Sequence, residues 1–357
     1  MRYLNILTTL AGLLAAVTAA TVKLDGKPIT VGDGGYPRAI VLKDNTLVAS
    51  YARGNSILVR HSKDEGITWS EEYVVRNQAN PTGKVVDLNN AFLYQKPSGE
   101  VLCAYRRHIK DTKDNLLELN IDVSHSTDGG KVWNYISSVN HDVPRDGVIG
   151  FWEPFLRYNI DGKLEVYWAH EISATNQDTV KKVSEDEGKS WGPFTPGMTG
   201  VDKNVRDGMP NFASLDSTNK NLIMAFETNE VGPFKVWTVT SSNGGKSWGD
   251  RKIIFSPETP TAGRQAGGPG IVNMNGTLVV SFMTNQDAEV GDGYPHAKPG
   301  TDMKVITSTD KGNTWSAPVT VIEDAAWGGI TVVDDRALVL GAAYTTGKAA
   351  AQFITVA

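Results

Sequence analysis

Apolar and polar positions along this chain fall into a repeated unit: an apolar run, a short polar turn, then a second apolar run. The first copies are Arg38 to Arg53, turning at Asp44-Asn45, and Asn90 to Arg106, turning at Ser98-Gly99. Glu153 to Trp168 turns at Asp161-Gly162, and Pro210 to Glu227 encloses a longer polar turn. Gly270 to Met283 turns at Asn275-Gly276, and Gly329 to Tyr344 at Asp334-Asp335. Apolar runs bounded by such turns are hairpin signals, because Asn, Asp and Gly tolerate the backbone a tight turn requires. The pattern predicts six β-hairpins.

A second motif, Ser-x-Asp-x-Gly-x-x-Trp, follows five of them. It reads Ser62-Lys-Asp64-Glu-Gly66-Ile-Thr-Trp69, and recurs at Ser126 to Trp133, Ser184 to Trp191, Ser241 to Trp248 and Ser308 to Trp315, with Asn243 replacing Asp in the fourth copy. The tryptophans lie 64, 58, 57 and 67 residues apart, the period of a repeat fold. Asp and Ser are suited to accepting backbone N–H groups inside a turn, Gly to positive φ, and Trp to packing between neighbouring sheets. The motif resembles the Asp box of sialidase-type β-propellers. It is read as a turn staple, away from substrate.

Six hairpins and five boxes leave the two ends to be explained. After the sixth hairpin only Ala350 to Val356 remains, and a strand-like run precedes the first hairpin between Thr21 and Val31. The sequence therefore predicts an all-β, six-bladed propeller of four-stranded antiparallel blades. Its last blade is closed by the N- and C-terminal strands, so that no sheet edge is left open. Residues 21–357 form this single domain. Residues 1–20 carry Arg2, an apolar stretch and the small residues Thr18-Ala19-Ala20, and read as a secretory signal peptide.

Composition adds exclusions. The formal net charge is −5 with no basic cluster, which argues against nucleic acid and anionic membranes as partners. The single cysteine, Cys103, permits no internal disulfide and is expected to be a buried apolar residue. The six histidines show no metal-ligand spacing, so no metal or cofactor is expected. Asn275-Gly276-Thr277 is a glycosylation sequon in a predicted turn.

In a propeller the start of each hairpin's first strand and the end of its second share one face, and the boxes mark the other. The first face collects Arg38, Asn90, Trp152, Glu153, Asn211, Arg264 and Trp327 from strand starts, and Glu171, Glu227 and Tyr344 from strand ends. Glu153 and Glu227 are ionisable groups where the pattern predicts burial, which is costly unless they are paired or functional. Glycoside hydrolysis needs one carboxylic acid and one carboxylate in unequal surroundings, and these two are the candidate catalytic pair. A structural salt bridge to a neighbouring Arg is the competing reading for either. Glu171 is a candidate for tuning the acid or holding a sugar hydroxyl. Trp152, Tyr294 and Trp327 are candidate stacking platforms, Arg38 and Arg264 candidate hydroxyl or carboxylate ligands. The long segment from Asn285 to Lys304 could wall off one end of the pocket.

Gly35-Tyr-Pro-Arg38 looks like a rearranged sialidase Arg-Ile-Pro segment, and Glu227 with Tyr344 falls where sialidases keep a Glu–Tyr pair. Yet Gly54 to Val59 has no acid/base Asp, and no Arg lies between Glu227 and Arg251 to complete an arginine clamp. Phe151-Trp-Glu153-Pro-Phe-Leu-Arg157, Phe226-Glu227-Thr-Asn and the five boxes resemble instead glycoside hydrolase family 93, the secreted exo-α-1,5-L-arabinanases. That resemblance, covering nearly the whole mature chain, implies a retaining enzyme releasing arabinobiose from the non-reducing end of linear arabinan; a monomer is expected. It suggests Glu153 as acid/base and Glu227 as nucleophile, an order that the sequence leaves reversible. A sialidase, another exo-glycosidase or a non-catalytic glycan-binding propeller remain the alternatives.

Overall fold

The structure is a computed structural model that describes residues 20–145, 147–148, 150–195, 204–258, 263–289 and 293–357. The predicted signal peptide lies, apart from Ala20, outside the described residues. Strand β1 (Val22–Asp33) comes first in the chain and last in the ring. Blade one is β2 (Gly35–Val41), β3 (Leu47–Arg53), β4 (Ser56–Ser62) and β5 (Tyr73–Asn77). Blade two is β6 (Lys84–Gln95), β7 (Val101–Asp111), β8 (Leu116–Ser126) and β9 (Asn134–Asp142). Blade three holds β10 (Phe151–Tyr158), β11 (Leu164–Ser173) and β12 (Asn176–Ser184), with the bridge Lys181–Thr195 where a fourth strand would pair.

Blade four is β13 (Gly208–Ser214), β14 (Leu222–Thr228), β15 (Lys235–Ser241) and β16 (Gly249–Phe255). Blade five is β17 (Ala266–Met274), β18 (Thr277–Thr284), β19 (Asp302–Ser308) and β20 (Val319–Ile322). In blade six the inner strand is broken into β21 (Ala325–Ala326) and β22 (Ile330–Val333), both pairing β23 (Arg336–Ala343), followed by β24 (Lys348–Val356). Strand β1 then pairs antiparallel with β24, Val22 opposite Val356. The two ends of the chain thus close the ring as the unequal counts of hairpins and boxes predicted.

The five boxes act as the staples their residues imply. In the first, Ser62 Oγ accepts the Gly66 N–H at 2.7 Å, and Asp64 Oδ1 accepts the Thr68 N–H at 2.9 Å. Asn243 does the same in the fourth box, accepting the Ser247 N–H at 2.9 Å, so the amide replaces the carboxylate without loss of the turn. The Trp residues pack back onto clusters shared with the preceding blade: Trp69 onto the cluster that holds Leu338 and Leu340, Trp133 onto the one that holds Val59 and Leu88, and Trp191 onto the one that holds Leu102 and Leu156. Cys103 is fully buried in the interface of blades one and two. Asn275 sits exposed at positive φ in the β17–β18 turn.

One feature of the inner strands recurs six times. The register of the first hairpin of blades one to five slips between Gly35 and Arg38, Asn89 and Phe92, Trp152 and Phe155, Gly208 and Asn211, and Gly267 and Gly270. Inside each slip one residue has positive φ: Tyr36, Asn90, Glu153, Met209 and Gly268, with Trp327 at the break in blade six. A β-bulge re-aims a side chain out of the pleat, and here every bulge lies at the central-mouth end of its strand. Proline follows at positions 37, 154, 210 and 269, where the interrupted ladder has no use for an N–H. Left-handed backbone at a non-glycine residue costs of order 1–3 kcal/mol and concentrates at functional sites.

Candidate active site

The ring of bulges opens into a pocket of about 400 Å³ on the face opposite the boxes. Tyr36, Glu153, Met209 and Trp327 enter it from bulges, Glu227 from the end of β14, and Tyr294 from the segment after β18. The wall formed by blades five, six and one is aromatic. Trp327 stacks on Tyr36 with ring centroids 5.1 Å apart, and packs against Tyr294 at 5.7 Å and His296 at 5.5 Å. Beneath this pocket a hollow of about 20 Å³ is lined by Arg38, Asn90, Asn211 and the other face of Glu153.

Two carboxyls share the pocket in unlike settings. Burial, and then the negative charge of Glu227, push the Glu153 carboxyl up to about 8, against the pull of Arg106 and Arg38. The Asn90 Nδ2 donates to its Oε1 at 2.8 Å. Burial also raises Glu227, to about 7, but three groups hold it lower than Glu153. The Tyr294 hydroxyl donates to Oε2 at 2.5 Å, the Gly268 N–H donates to the same oxygen at 2.7 Å, and the Arg206 cation stands nearby. Hydrogen bonds to the ionised form favour it. Glu153 is therefore the group that keeps its proton longer, and Glu227 the one built to carry charge.

Glycine makes room for this arrangement. A Cβ on Gly267 would stand 2.2 Å from Glu227 Oε2 and 2.8 Å from the Tyr294 hydroxyl, and one on Gly208 would stand 3.2 Å from Glu227 Oε1.

Of the residues named from sequence, Glu153, Glu227, Trp152, Tyr294 and Trp327 line the main pocket. Arg38, Asn90 and Asn211 lie just below. Arg38 donates to the Pro37 and Trp327 carbonyls, and Asn211 Oδ1 accepts the Ile271 N–H of the next blade at 3.3 Å. Glu171 is placed differently from its expected contact with sugar: it is 0% exposed, ion-paired to Arg206, and accepts the Trp152 Nε1–H at 3.3 Å. Arg264 is outside the pocket, its guanidinium donating to the Ala288 carbonyl at 2.8 Å and so bracing the segment that carries Tyr294. Tyr344 requires correction. The turn joining β23 to β24 begins at this residue, which swings outward, 52% exposed, with its N–H on the Asp324 carbonyl. The tyrosine beside Glu227 is Tyr294.

Sequence reasoning passed over Tyr36, Arg206, Gln177, Met209, Phe234 and His296 as pocket residues. Tyr36 and Met209 had a signal, the proline that follows each just before a predicted hairpin. Among the described residues, no group of three or more His, Cys, Asp or Glu converges as metal ligands would.

No protein-family profile matches the chain. Among solved structures, the α-L-arabinanase of Penicillium chrysogenum complexed with arabinobiose superposes with a TM-score of 0.66 at 21% identity, over 94% of this chain and 98% of that one. The family 93 α-L-arabinofuranosidase of Fusarium graminearum, also with arabinobiose, gives 0.67 at 21% identity, over 91% and 96%. The chain shares the fold of the family 93 enzymes. A curated sialidase of Micromonospora viridifaciens is 27% identical over 293 residues, 69% of this chain. The match spans 42% of that sialidase's own length. The propeller common to family 93 and the sialidases thus accommodates both kinds of relative, and the pocket must decide between them.

Proposed function

We propose that the protein is a secreted, monomeric, retaining glycosidase of the family 93 type, an exo-α-1,5-L-arabinanase that releases arabinobiose from the non-reducing end of linear arabinan. The observation that carries this reading is that a part-buried Glu153 and a buried Glu227 line one aromatic pocket, with surroundings that separate acid from nucleophile. In the first step Glu153 gives its proton to the glycosidic oxygen of the departing polymer. Glu227 attacks the anomeric carbon through Oε1, since Tyr294 and Gly268 both occupy Oε2. The resulting arabinobiosyl ester on Glu227 is broken by water, whose proton goes to the Glu153 carboxylate as the oxygen bonds to carbon. Arabinobiose leaves and both carboxyls return to their starting states. The stacked wall of Trp327, Tyr36 and Tyr294 suits the apolar faces of a neutral furanose.

The arginines favour a neutral substrate over sialic acid. Arg38 places Nη1 on two carbonyls, Arg106 pairs with Asp87, and Arg206 binds Glu171 and Gln177, so these cations are already engaged by the protein. The sialidase reading keeps the support of the curated relative and is tested in parallel. Debranched arabinan and a fluorogenic sialoside are incubated with the protein and the products separated by chromatography. Arabinobiose alone from the first supports the proposal. A ladder of oligomers turns it toward endo cleavage, and sialic acid from the second overturns it. Loss of turnover in Glu227→Gln, with the thermal transition kept, ties the activity to this pocket.

A further inference from the structure

Behind Glu153 lies a charged group that the reaction above does not use. Arg106, on β7, is 6% exposed, and its Nη2 donates to Asp87 Oδ2 on β6 at 2.7 Å. Its guanidinium lies over the Trp152 ring, 4.8 Å from the centroid. His108, two residues on and on the same face of β7, meets the same indole edge-on at 5.3 Å, and its Nε2 accepts the Phe151 N–H at 3.4 Å. Strand β7 of blade two therefore supports the start of β10 in blade three at two points, Phe151 and Trp152, immediately before the left-handed Glu153.

We propose that Arg106 is a positioning residue for Glu153, a buried cation anchored by Asp87 and braced on Trp152 so that it stands behind the bulge carrying the acid. A buried guanidinium always stays charged, so its effect is constant with pH. Asp87 is partly exposed and its charge partly offsets that of Arg106. The other groups facing Glu153 are Tyr36 and Arg38 from β2, Asn90 from β6, Glu227 from β14 and Tyr294 from the segment after β18. Around Arg106 itself, Lys110 approaches Asp87 at 3.9 Å, and desolvation together with Arg106 and Lys110 keeps His108 neutral. Removing Arg106 leaves Glu153 harder to ionise; removing the Asp87 charge leaves it easier. A brace acting only through packing would not give opposite signs.

The inference rests on the glycosidase reading for its kinetic arm and stands free of it in a second arm. In the first, the basic limb of kcat/KM against pH is measured on linear arabino-oligosaccharides. Arg106→Gln should move that limb up, and Asp87→Asn should move it down, each by about half a unit or more, while Arg106→Lys stays near the wild type. In the second, infrared difference titration reads the Glu153 carboxyl without substrate, with Glu153→Gln as the subtraction control. The same two opposite shifts are expected there. If both folded variants leave the carboxyl titration in place, the proposal is overturned, whatever the activity. If the titration shifts as stated but arabinan is untouched, Arg106 keeps its role and the arabinanase reading fails instead.

Discussion

The Tyr294 hydroxyl donates to Glu227 Oε2 at 2.5 Å, from a residue 67 positions further along the chain and one blade away. The bond joins a carboxylate on a rigid strand to a tyrosine on a long connecting segment. Burial and the nearby Glu227 charge raise the Tyr294 hydroxyl well above its usual range, so it stays a donor throughout the working pH range.

Tyr294→Phe removes the larger of the two bonds that hold Glu227 down. A hydrogen bond to a charged group contributes about 1.5–3 kcal/mol, so kcat/KM below neutral pH should fall at least about tenfold. The acid limb should also move upward, toward the basic limb. Because the two carboxyls interact, both limbs belong to the pair, with Glu227 dominating the lower and Glu153 the upper. A pH profile of the purified variant checks this, and an unmoved acid limb would remove Tyr294 from the reaction.

Gly267→Ala tests the close approach of the backbone to the same carboxylate. The added methyl would stand 2.2 Å from Glu227 Oε2, so the carboxylate must leave Tyr294 or the strand must shift. Overpacking of this kind costs typically about 1–3 kcal/mol, well below what unfolding a domain requires. The expected result is a folded protein with a slightly lower thermal midpoint and little turnover. Wild-type kcat would show that the pocket yields more readily than its packing suggests.

The fold was legible because it repeats. Hairpin turns and Ser-x-Asp-x-Gly-x-x-Trp boxes are local chemistry, and their counts alone gave the closure by β1 and β24. Glu153 and Glu227 stood out as charges on apolar strands for the same reason. Tyr294, and not Tyr344, stands beside Glu227 because the tyrosine's position depends on segments joining the strands, where no period applies. Tyr344 is one residue beyond the end of β23, and that residue takes it from mouth to solvent. The pairing of Arg206 with Glu171 was illegible for another reason: it has no spacing in the sequence.

Glu153 and Glu227 should make the protein less stable as pH rises. Both folded values, about 8 and about 7, lie above the ordinary 4.5 of an unfolded Glu. The protonated forms are thus favoured by folding, and their contribution is complete below 4.5 and lost as pH climbs through 7 and 8. Glu153→Gln, which cannot ionise, should lose less stability than the wild type between about pH 4 and about pH 8.5, which lie either side of that window. Thermal unfolding of the two proteins at both values gives the comparison. Parallel behaviour would mean that Glu153 is as well solvated folded as unfolded.

Ser126→Ala separates the staples from the site. Ser126 is 1% exposed, and its Oγ accepts the Gly130 N–H at 2.8 Å while donating to Asp128 Oδ1 at 2.7 Å. Without it the buried Gly130 N–H loses its acceptor, and leaving such a group unsatisfied costs about 1–3 kcal/mol. For a domain of this size each kcal/mol lowers the thermal midpoint by about 2–4 °C or less. The box lies on the face opposite Glu153 and Glu227, at the interface where Trp133 packs against blade one, so kcat and KM should stay at their wild-type values. A fall in kcat with an unchanged midpoint would reverse the division of labour between the two faces of the ring.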